Sequence, residues 1–444
     1  MIQSWLVWDC IPVALPLNPR DLNMISRRTY LGAMLSSIAL SPSLIAQGDP
    51  KQKKKLAIIT TEWRFRSHAW HMGERFLGGY PVKGKWHHPA IDVVSAYVDQ
   101  VPAGDLSKVR ALESNFKIYP TIAETLRCGT DKLAVDAVLI IGEHGTYPDN
   151  ELGQKKYPRY EFFQKVVEVF KKDGTTTPIF NDKHLSWNWE WAKEMVDTSR
   201  KLKFPLLAGS SLPVTWRMPA VEMPENAQLE EVMCLAMGGV DSYDFHALEV
   251  IQCMAERRKG GETGVKAVQA IRGEEVWKRM ASGSWKKGGW NPKLFEACMN
   301  RSQTLAQAPT YSHRKPTTKQ MIDWVKAPMA YRIEYLDGLK STMLLMNGLV
   351  GDFTFAASLK DQAEPLSNLF YLPTNPNVSY SAALMSNAEE MFITGKAPYP
   401  VERTLLTSGI LAACLGSLGN GQKRIETPHL KVSYQAGKST FWRE

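Results

Sequence analysis

Between residues 56 and 210, short apolar runs alternate with stretches that have the periodicity of amphipathic helices. The run at 136–144 is too apolar to have one face in water, which indicates a strand covered on both sides. The runs lie at 56–60, 91–99, 117–121, 136–144, 177–182 and 205–211. Buried strands joined by helices indicate a doubly wound parallel sheet, whose ligands bind at the carboxyl ends of the strands. We therefore predict an α/β domain over residues 50–215.

A proline-rich stretch at 211–226 ends this alternation and is typical of a linker. Beyond it, residues 229–239 and 329–358 have the lengths and turn residues of longer strands. We predict a second, α+β domain over residues 216–444, with a mostly antiparallel sheet and flanking helices. An exposed face of this sheet would favour a homo-oligomer. Residues 281–320, rich in Trp, Lys, Ser and Pro, are predicted as a long surface excursion.

Residues 26–47 have the layout of an export signal. The pair Arg27 and Arg28 precedes a mostly apolar stretch, and small residues follow it. This order resembles a bacterial twin-arginine signal, and the apolar stretch is too short and too serine-rich for a permanent membrane span. We predict a signal peptide over residues 1–46, with Met24 as the candidate true start, and a periplasmic or otherwise exported bacterial protein. The alternative is a chance arginine pair ahead of an ordinary helix.

The charge distribution argues against nucleic acid as a partner. The net charge is +9, but the basic residues gather only in short runs at 51–56 and 256–261. A nucleic-acid site would need a broader basic patch interleaved with aromatic side chains, so a solvated basic surface is the better interpretation. The six cysteines lie far apart without a C-x-x-C pair, which indicates buried thiols.

The turn after the first predicted strand lacks glycine. In a Rossmann-like nucleotide-binding domain, a glycine-rich turn lets the pyrophosphate approach a helix N-terminus. Here the turn offers hydroxyl donors and cations instead: Thr60, Thr61, Arg64, Arg66 and Ser67. Ser67 also suits the N-cap of the next helix, and an arginine can hold a phosphate through charge-assisted hydrogen bonds. We predict that these residues bind a cofactor. The alternative is a degenerate turn whose aromatic side chains pack against the sheet.

Residues 178–212 resemble the glucose–fructose oxidoreductase / inositol dehydrogenase family (Gfo/Idh/MocA). In that family a strand ends in Glu-Lys-Pro-Leu, before a helix and a strand that ends in glycine. Here residues 182–185 read Asp-Lys-His-Leu. The resemblance extends in both directions and covers most of residues 55–435. It includes the segments 57–69, 93–100, 136–148, 243–254 and 387–422.

The resemblance implies tightly held NAD or NADP and a carbohydrate-like substrate, namely a sugar, polyol or glycoside whose hydroxyl group is oxidised. It gives His246 the place of the family's catalytic histidine and Asp99 the place of its acidic ribose contact. Histidine suits proton transfer near neutral pH, and Lys183 could hold the substrate oxygen and stabilise negative charge. The family's acid four residues before the histidine is here Ser242. Asp244, two residues before the histidine, is therefore our candidate for the proton relay.

Further candidates stand beside these positions. Glu143 and His144 lie at the carboxyl end of the fourth predicted strand, where they could touch the nicotinamide ribose or the substrate. Asp182 is a candidate cofactor contact and His184 a candidate catalytic residue, because both flank Lys183. A metal site that joins Glu143 and His144 to His184, or to the histidines at 68 and 71, is the weaker alternative, and we expect no metal.

The sequence therefore predicts an exported NAD(P)-dependent oxidoreductase. Two other classes stay open: a non-redox lyase or hydrolase on the same scaffold, and a carbohydrate-binding protein without turnover. Bound nucleotide separates the first class from the others. For the oxidoreductase, Lys183 and His246 should open onto one cavity. If His246 is instead satisfied in a helix–sheet contact, the binding-protein interpretation gains.

Overall fold

Two large β-sheets, one from each half of the chain, form the framework of the protein. The computed structural model describes residues 53–373, 378–437 and 441–442. The predicted signal peptide at 1–46 lies outside the described residues, and export stays a prediction. Within the described part of the chain, no helix is both long enough and apolar enough to cross a membrane.

The first sheet has six strands and is parallel throughout. In chain order, the strands of this half are β1 (Lys54–Thr60), β2 (Tyr80–Val82), β3 (Lys85–His87), β4 (Ile91–Val98), β5 (Lys117–Ile118), β6 (Ala137–Ile141), β7 (Ile179–Asp182) and β8 (Leu206–Gly209). Strands β2 and β3 form a separate hairpin, and the order of the sheet is β5-β4-β1-β6-β7-β8. The order reverses between β1 and β6, and such a switch point is where Rossmann-type sheets bind ligands.

Helices cover both faces of the first sheet because its strands are apolar on both sides, and every residue of β6 is buried. The helices of this half are α1 (Glu74–Gly78), α2 (Ser107–Ser114), α3 (Ile122–Arg127), α4 (Arg159–Asp173) and α5 (Trp189–Leu202), and a π-helical turn, Ala69–Gly73, leads into α1. Phe162, Val166 and Phe170 recur every four residues along α4, so they form one buried stripe. The helix ends at Gly174, whose φ of 71° suits a left-handed cap.

The second sheet is mixed and mostly antiparallel, with eight strands. The strands of this half are β9 (Arg217–Met218), β10 (Leu229–Ala236), β11 (Val265–Arg272), β12 (Met329–Tyr335), β13 (Lys340–Leu345), β14 (Phe353–Leu359), β15 (Leu366–Phe370) and β16 (Ile425–Glu426). Their order is β16-β11-β12-β13-β10-β14-β15-β9, with β10 and β13 parallel. The predicted fold class, a Rossmann-like parallel sheet followed by an α+β part, is confirmed. The boundary between residues 215 and 216 stays a prediction.

The helices of the second half serve both sheets. They are α6 (Tyr243–Ala255), α7 (Glu274–Ser282), α8 (Pro292–Arg301), α9 (Thr318–Trp324), α10 (Tyr380–Thr394) and α11 (Glu402–Gly419), with 3-10 turns at Leu212–Val214, Trp285–Lys287 and Pro428–Leu430. Helices α6 and α11 pack on one face of the second sheet, in the largest hydrophobic cluster. Helix α10 returns to the first sheet, where Ala388 and Phe392 share a cluster with Leu56 and Leu139.

The prediction of a surface excursion over residues 281–320 agrees with residues 303–317, which are mostly exposed and carry no helix or strand, but is wrong for residues 292–301. Helix α8 lies in this segment, and its residues Leu294, Cys298 and Met299 are buried against the second sheet. The apolar pattern of this helix spans only a few residues, and the Trp, Lys and Ser residues around it make the segment look polar in composition. Together, α7, α8 and α9 cover the sheet face that we expected to be exposed. Association of copies through that face loses its physical basis, and the oligomeric state stays a prediction.

Candidate active site

A cavity of about 180 Å³ lies at the carboxyl ends of β6, β7 and β8, where a doubly wound sheet places its ligands. Residues that follow these three strands form one part of its wall, and residues of α6 and β14 form another. Residues of the π-helical turn and the first residue of α10 also line it. We call it the inner cavity. Both halves of the chain therefore build one site.

Lys183 follows β7 and lines the inner cavity. Its φ of 67° lies in the left-handed region, and its backbone N–H donates to Gly209 O over 3.2 Å. The side chain is almost fully buried, and its ammonium nitrogen lies 3.8 Å from Glu143 Oε1. Non-glycine residues held at positive φ cluster at functional sites, because the surrounding structure must compensate for their strain. The backbone and the buried charge thus support a functional role for Lys183.

Glu143 and Arg159 form a buried ion pair beside Lys183. Arg159 is the first residue of α4 and also donates to His184 Nε2 over 3.1 Å. Burial alone would raise the pKa of Glu143, but the charges of Lys183 and Arg159 hold this pKa well below its usual range. Gly142 permits the close contact, because a Cβ at this position would lie 2.6 Å from Arg159 Cγ. Glu143 is therefore a fixed anion that balances the charge of Lys183.

His246 faces the inner cavity from α6. Its Nδ1 lies 2.5 Å from Ser210 Oγ, and this oxygen also accepts the backbone N–H of Leu212 over 3.1 Å. In the tautomer that donates from Nδ1 to Ser210, the Nε2 atom is free to accept a proton. Burial, followed by the charge of Lys183, lowers the pKa of His246 well below its usual range. The imidazole is therefore neutral near pH 7. The expectation that Lys183 and His246 open onto one cavity is confirmed, while their catalytic roles stay predictions.

Two other predicted catalytic residues lie elsewhere. Asp244 stands two residues before His246 on α6, so the two side chains point in nearly opposite directions. Its Oδ2 accepts the hydroxyl of Tyr331 over 2.8 Å, and burial raises its pKa to about 7. His184 is buried against Arg159, and burial, followed by the charge of Arg159, lowers its pKa. Neither residue lines the inner cavity, so the structure supports neither as a group that touches substrate.

Three histidines and one aspartate form a second polar cluster in the inner cavity. His68 Nδ1 lies 2.5 Å from Asp182 Oδ2, and its ring centroid lies 4.6 Å from that of His71 and 5.0 Å from that of His144. Burial lowers the pKa of His144 to about 4 and the pKa of His71 well below its usual range. His71 Nδ1, His144 Nε2 and Asp182 Oδ1 have no hydrogen-bond partner among the described residues. No set of three or more His, Cys, Asp or Glu side chains in that part of the chain is arranged to hold a metal.

The turn after β1 uses its hydroxyl groups internally. Thr60 and Thr61 donate to backbone carbonyl oxygens over 3.2 and 2.6 Å. Ser67 Oγ accepts the backbone N–H groups of Arg64 and Trp70, which is the kind of contact expected of a helix cap. All three hydroxyl-bearing residues are fully buried. The structure therefore gives no support to the prediction that Thr60, Thr61 and Ser67 bind a cofactor.

The aromatic residues of this turn point in different directions. Trp63 is fully buried and stacks on Phe116 with a centroid distance of 5.8 Å, as the alternative interpretation of the turn expected. Phe65, in contrast, is 58% exposed.

The two arginines of the turn differ in their surroundings. The guanidinium of Arg66 lies 5.2 Å from the ring centroid of Phe65. Arg64 pairs with a neighbouring carboxylate over 2.6 Å. Of the two arginines, the exposed Arg66 is the better placed to reach a phosphate.

Asp99 follows β4, in the place that the resemblance gives to the ribose contact. The residue is exposed. Its two carboxylate oxygens accept the hydroxyl groups of Tyr97 and Tyr147 over 2.7 and 2.6 Å. A carboxylate has about four lone-pair sites, so about two remain open. Asp99 can therefore accept ribose hydroxyls beside the tyrosines.

Sequence reasoning missed several residues of the site. Arg159 carried a signal, because a cation at the first position of a helix opposes the helix dipole, and such local conflicts often mark functional positions. Ser210 follows β8 and would have been a candidate from its place at a strand end. Tyr380 lines the inner cavity but carried no local signal, because it reaches the site from a distant part of the chain.

The comparisons with known proteins bear on the fold. No family model and no curated protein matches the sequence. Apo scyllo-inositol dehydrogenase from Lactobacillus casei matches with 9% identity and a TM-score of 0.52, over 84% of this chain and 98% of its own. GenD2 from gentamicin A biosynthesis, solved in complex with NAD, matches with 10% identity and a TM-score of 0.52, over 84% and 96%. A putative myo-inositol dehydrogenase from Sinorhizobium meliloti 1021 matches with 13% identity and a TM-score of 0.50, over 84% and 99%. At these identities the likeness concerns the fold alone, and the chain shares the fold of these three proteins.

Proposed function

We propose that this chain is an oxidoreductase that moves a hydride between NAD or NADP and a hydroxyl-bearing carbon of a sugar, polyol or glycoside. The observation that carries the proposal is the inner cavity, onto which Lys183 and His246 both open at the carboxyl ends of a Rossmann-type sheet. Two of the proteins that share the fold are named as inositol dehydrogenases, and GenD2 was solved with NAD. These names support the same reaction class.

In this proposal, His246 and Lys183 act on one substrate hydroxyl. His246 Nε2 takes the hydroxyl proton, because Ser210 engages Nδ1 and leaves Nε2 open to the substrate. Lys183 holds the oxygen and stabilises the negative charge that develops as the proton leaves. Glu143, 3.8 Å from the ammonium nitrogen, keeps the lysine in position. A bound dinucleotide supplies the hydride acceptor.

The described residues offer contacts for both ends of a dinucleotide. Asp99 keeps acceptor sites open for ribose hydroxyls, and Arg66 is exposed for a phosphate. Asp182 Oδ1 and His144 Nε2 are buried without a partner in the described part of the chain, and both residues line the inner cavity. Such orphaned polar atoms are costly unless a ligand satisfies them. The fit therefore supports NAD or NADP as the cofactor.

The deciding experiment is to denature the purified protein and to identify any released nucleotide by mass. We expect NAD or NADP close to one equivalent per chain, and a change in absorbance at 340 nm when a substrate is added. Protein that releases no nucleotide, does not bind added NAD or NADP, and oxidises no sugar, polyol or glycoside would rule out this function.

One observation favours a second candidate, a non-redox lyase or hydrolase. His68, held by Asp182, and His246, held by Ser210, face the same cavity. Two separately oriented imidazoles could serve as the base and the acid that an elimination or hydrolysis needs. Nucleotide-free protein that converts a glycoside without any absorbance change at 340 nm would favour this candidate over the first.

We also propose that the protein is exported through the paired arginines. The order of Arg27 and Arg28, an apolar stretch and small residues supports this. Replacing both arginines by lysine should leave the precursor in the cytoplasm, while the unchanged chain should fractionate with the periplasm. A native mature N-terminus upstream of Met24, or an intact unchanged chain in the cytosol, would contradict the export proposal.

A further inference from the structure

A second cavity of about 380 Å³ adjoins the inner cavity. Phe353, Leu372 and Tyr380 line both spaces, so the two cavities share part of their walls. We call the second space the outer cavity. Its further lining includes Met237 and Tyr371. A ligand held in the inner cavity can therefore extend past the shared residues into the outer one.

The two cavities differ in the chemistry of their walls. The inner cavity contains Lys183 and His246, and His71 Nδ1 lacks a partner among the described residues, in addition to the polar atoms that the proposed dinucleotide would contact. The wall of the outer cavity is mainly apolar and aromatic, as Met237, Leu369 and Phe370 illustrate. A ligand that fills both spaces must therefore have one polar part and one apolar part.

Two polar side chains of the outer cavity, Asp352 and Thr304, are engaged by the protein. The carboxylate of Asp352 accepts the hydroxyl of Ser302 over 2.9 and 3.0 Å and the backbone N–H of Gln303 over 2.8 Å. Thr304 Oγ1 accepts the backbone N–H of Gly351 over 2.7 Å. These groups have little capacity left for the many hydroxyls of a second sugar ring. An apolar ligand group has no hydrogen bonds to lose when it is buried beside these side chains.

The volumes point the same way. Sites for small ligands usually enclose roughly 300–1,000 Å³. The inner cavity alone, with about 180 Å³, falls below this range. Together with the outer cavity of about 380 Å³ it lies well inside the range. A single small polyol would leave the larger and more apolar part of the site unfilled.

We propose that the substrate is a glycoside with an aromatic or aliphatic aglycone, and that the outer cavity binds this aglycone. The inference rests on the proposed function, because the sugar ring occupies the inner cavity with Lys183 and His246. It goes further by excluding a free sugar or polyol as the preferred substrate. Recognition then comes from two terms: hydrogen bonds to the ring in the inner cavity, and burial of apolar surface in the outer one.

The test compares matched glycosides on the purified protein with whatever nucleotide it carries. The probes are the methyl and phenyl β-glycosides of glucose and of galactose, a β-linked disaccharide of each sugar, the free sugars and myo-inositol. Dissociation constants come from titration calorimetry, and turnover comes from absorbance at 340 nm. For at least one of the two sugars, the phenyl glycoside should bind about 10–100-fold more tightly than the methyl glycoside, the range that burial of an aromatic ring in an apolar site gives.

Two variants locate the effect in the outer cavity. Tyr371 is 41% exposed and contributes its backbone groups to the fold, so Tyr371→Ser should fold normally. Met237→Asp places a charge in the apolar wall. We call the ratio of the dissociation constants of the methyl and phenyl glycosides the phenyl preference. Both variants should reduce the phenyl preference several-fold and leave binding of the methyl glycoside unchanged. Tyr311, 48% exposed and outside both cavities, supplies the matched control Tyr311→Ser, which should keep the full preference.

Each result decides between the two proposals. The aglycone site is refuted if no phenyl glycoside of the panel binds more tightly than its methyl partner, or if a disaccharide binds more tightly than the phenyl glycoside. In that case, oxidation of a free sugar would still support the proposed function. A phenyl preference that Tyr371→Ser and Tyr311→Ser leave equally intact also refutes it. A phenyl preference lost in Tyr371→Ser, without oxidation of any probe, supports the aglycone site and counts against the oxidoreductase.

Discussion

Replacing Arg159 by methionine tests the electrostatic support of the site. The guanidinium is fully buried, bonds to the carboxylate of Glu143 and donates to His184. Methionine fills a similar volume but leaves Glu143, itself only 7% exposed, with Lys183 at 3.8 Å as its ionic partner. Removing one member of a buried ion pair typically costs about 3–5 kcal/mol of unfolding free energy, because the other charge stays buried. We expect a loss in that range for Arg159→Met.

The loss should be specific to the buried pair. Urea denaturation measures the free energy of unfolding, and the double variant Arg159→Met, Glu143→Gln should lose less than the sum of the two single variants, because their shared interaction is removed only once. It should not return to the wild-type value, because the buried Lys183 then lacks its anion. The exposed pair of Arg200 and Glu402 serves as the control, and Arg200→Met should cost at most about 1 kcal/mol. A loss below about 1 kcal/mol in Arg159→Met, or a double variant as unstable as the sum of the single ones, would refute the reasoning.

The same pair predicts a pH dependence. The pKa of Glu143 is lowered in the folded protein from an ordinary value of 4.5. Its contribution to stability is therefore present above about pH 4.5 and is lost as the pH falls towards the folded pKa. In Arg159→Met, this loss of stability at acidic pH should shrink. Lys183 and Arg159 are the two main charges that lower the pKa of Glu143, and the variant keeps only Lys183. Melting curves at several acidic pH values measure the difference.

Three further predictions follow from the site and its surroundings. His246→Ala and Lys183→Met should each reduce turnover by about 10²–10⁴-fold with little change in nucleotide binding, and the double variant should be hardly worse, because both act on one step; a multiplied loss in steady-state kinetics would contradict this. The pKa of Asp244 is raised to about 7 from an ordinary 3.8, so the wild type should lose stability as the pH rises from about 3.8 to about 7. Asp244→Asn should lack this loss, and equal profiles of melting temperature against pH for both proteins would contradict the prediction. Arg66→Ala should weaken nucleotide binding more than Arg64→Ala, because Arg66 is the exposed cation of the turn; unchanged titrations for both would leave the turn without a role in binding.

Much of the fold could be predicted from the sequence because its signals are local. Runs such as 137–141 are apolar at every position, and a buried parallel strand is the structure that accounts for this. Helix α8 was missed because its apolar residues, Leu294 to Met299, form only about two turns among polar and aromatic neighbours. The cover of the second sheet could not be predicted, since it depends on contacts between segments far apart in sequence.

The site was predictable where the topology alone brings residues together. Lys183 and Glu143 both follow strands of one parallel sheet, and such positions meet at its carboxyl edge. The pairing of His68 with Asp182 depends on how the π-helical turn is placed against the sheet, which no local pattern encodes. Asp244 shows the opposite limit: its spacing from His246 suggested a shared role, but a difference of two residues on a helix separates the side chains.

The helices that cover the second sheet have a consequence for how the protein assembles itself. Helices α7, α8 and α9 precede β12 to β15 in the chain, so a growing chain carries the cover for this sheet before most of the sheet exists. The apolar face of the sheet then closes against helices of the same chain. Burial of this face after dilution from urea should therefore follow first-order kinetics, with a half-time that does not change with protein concentration.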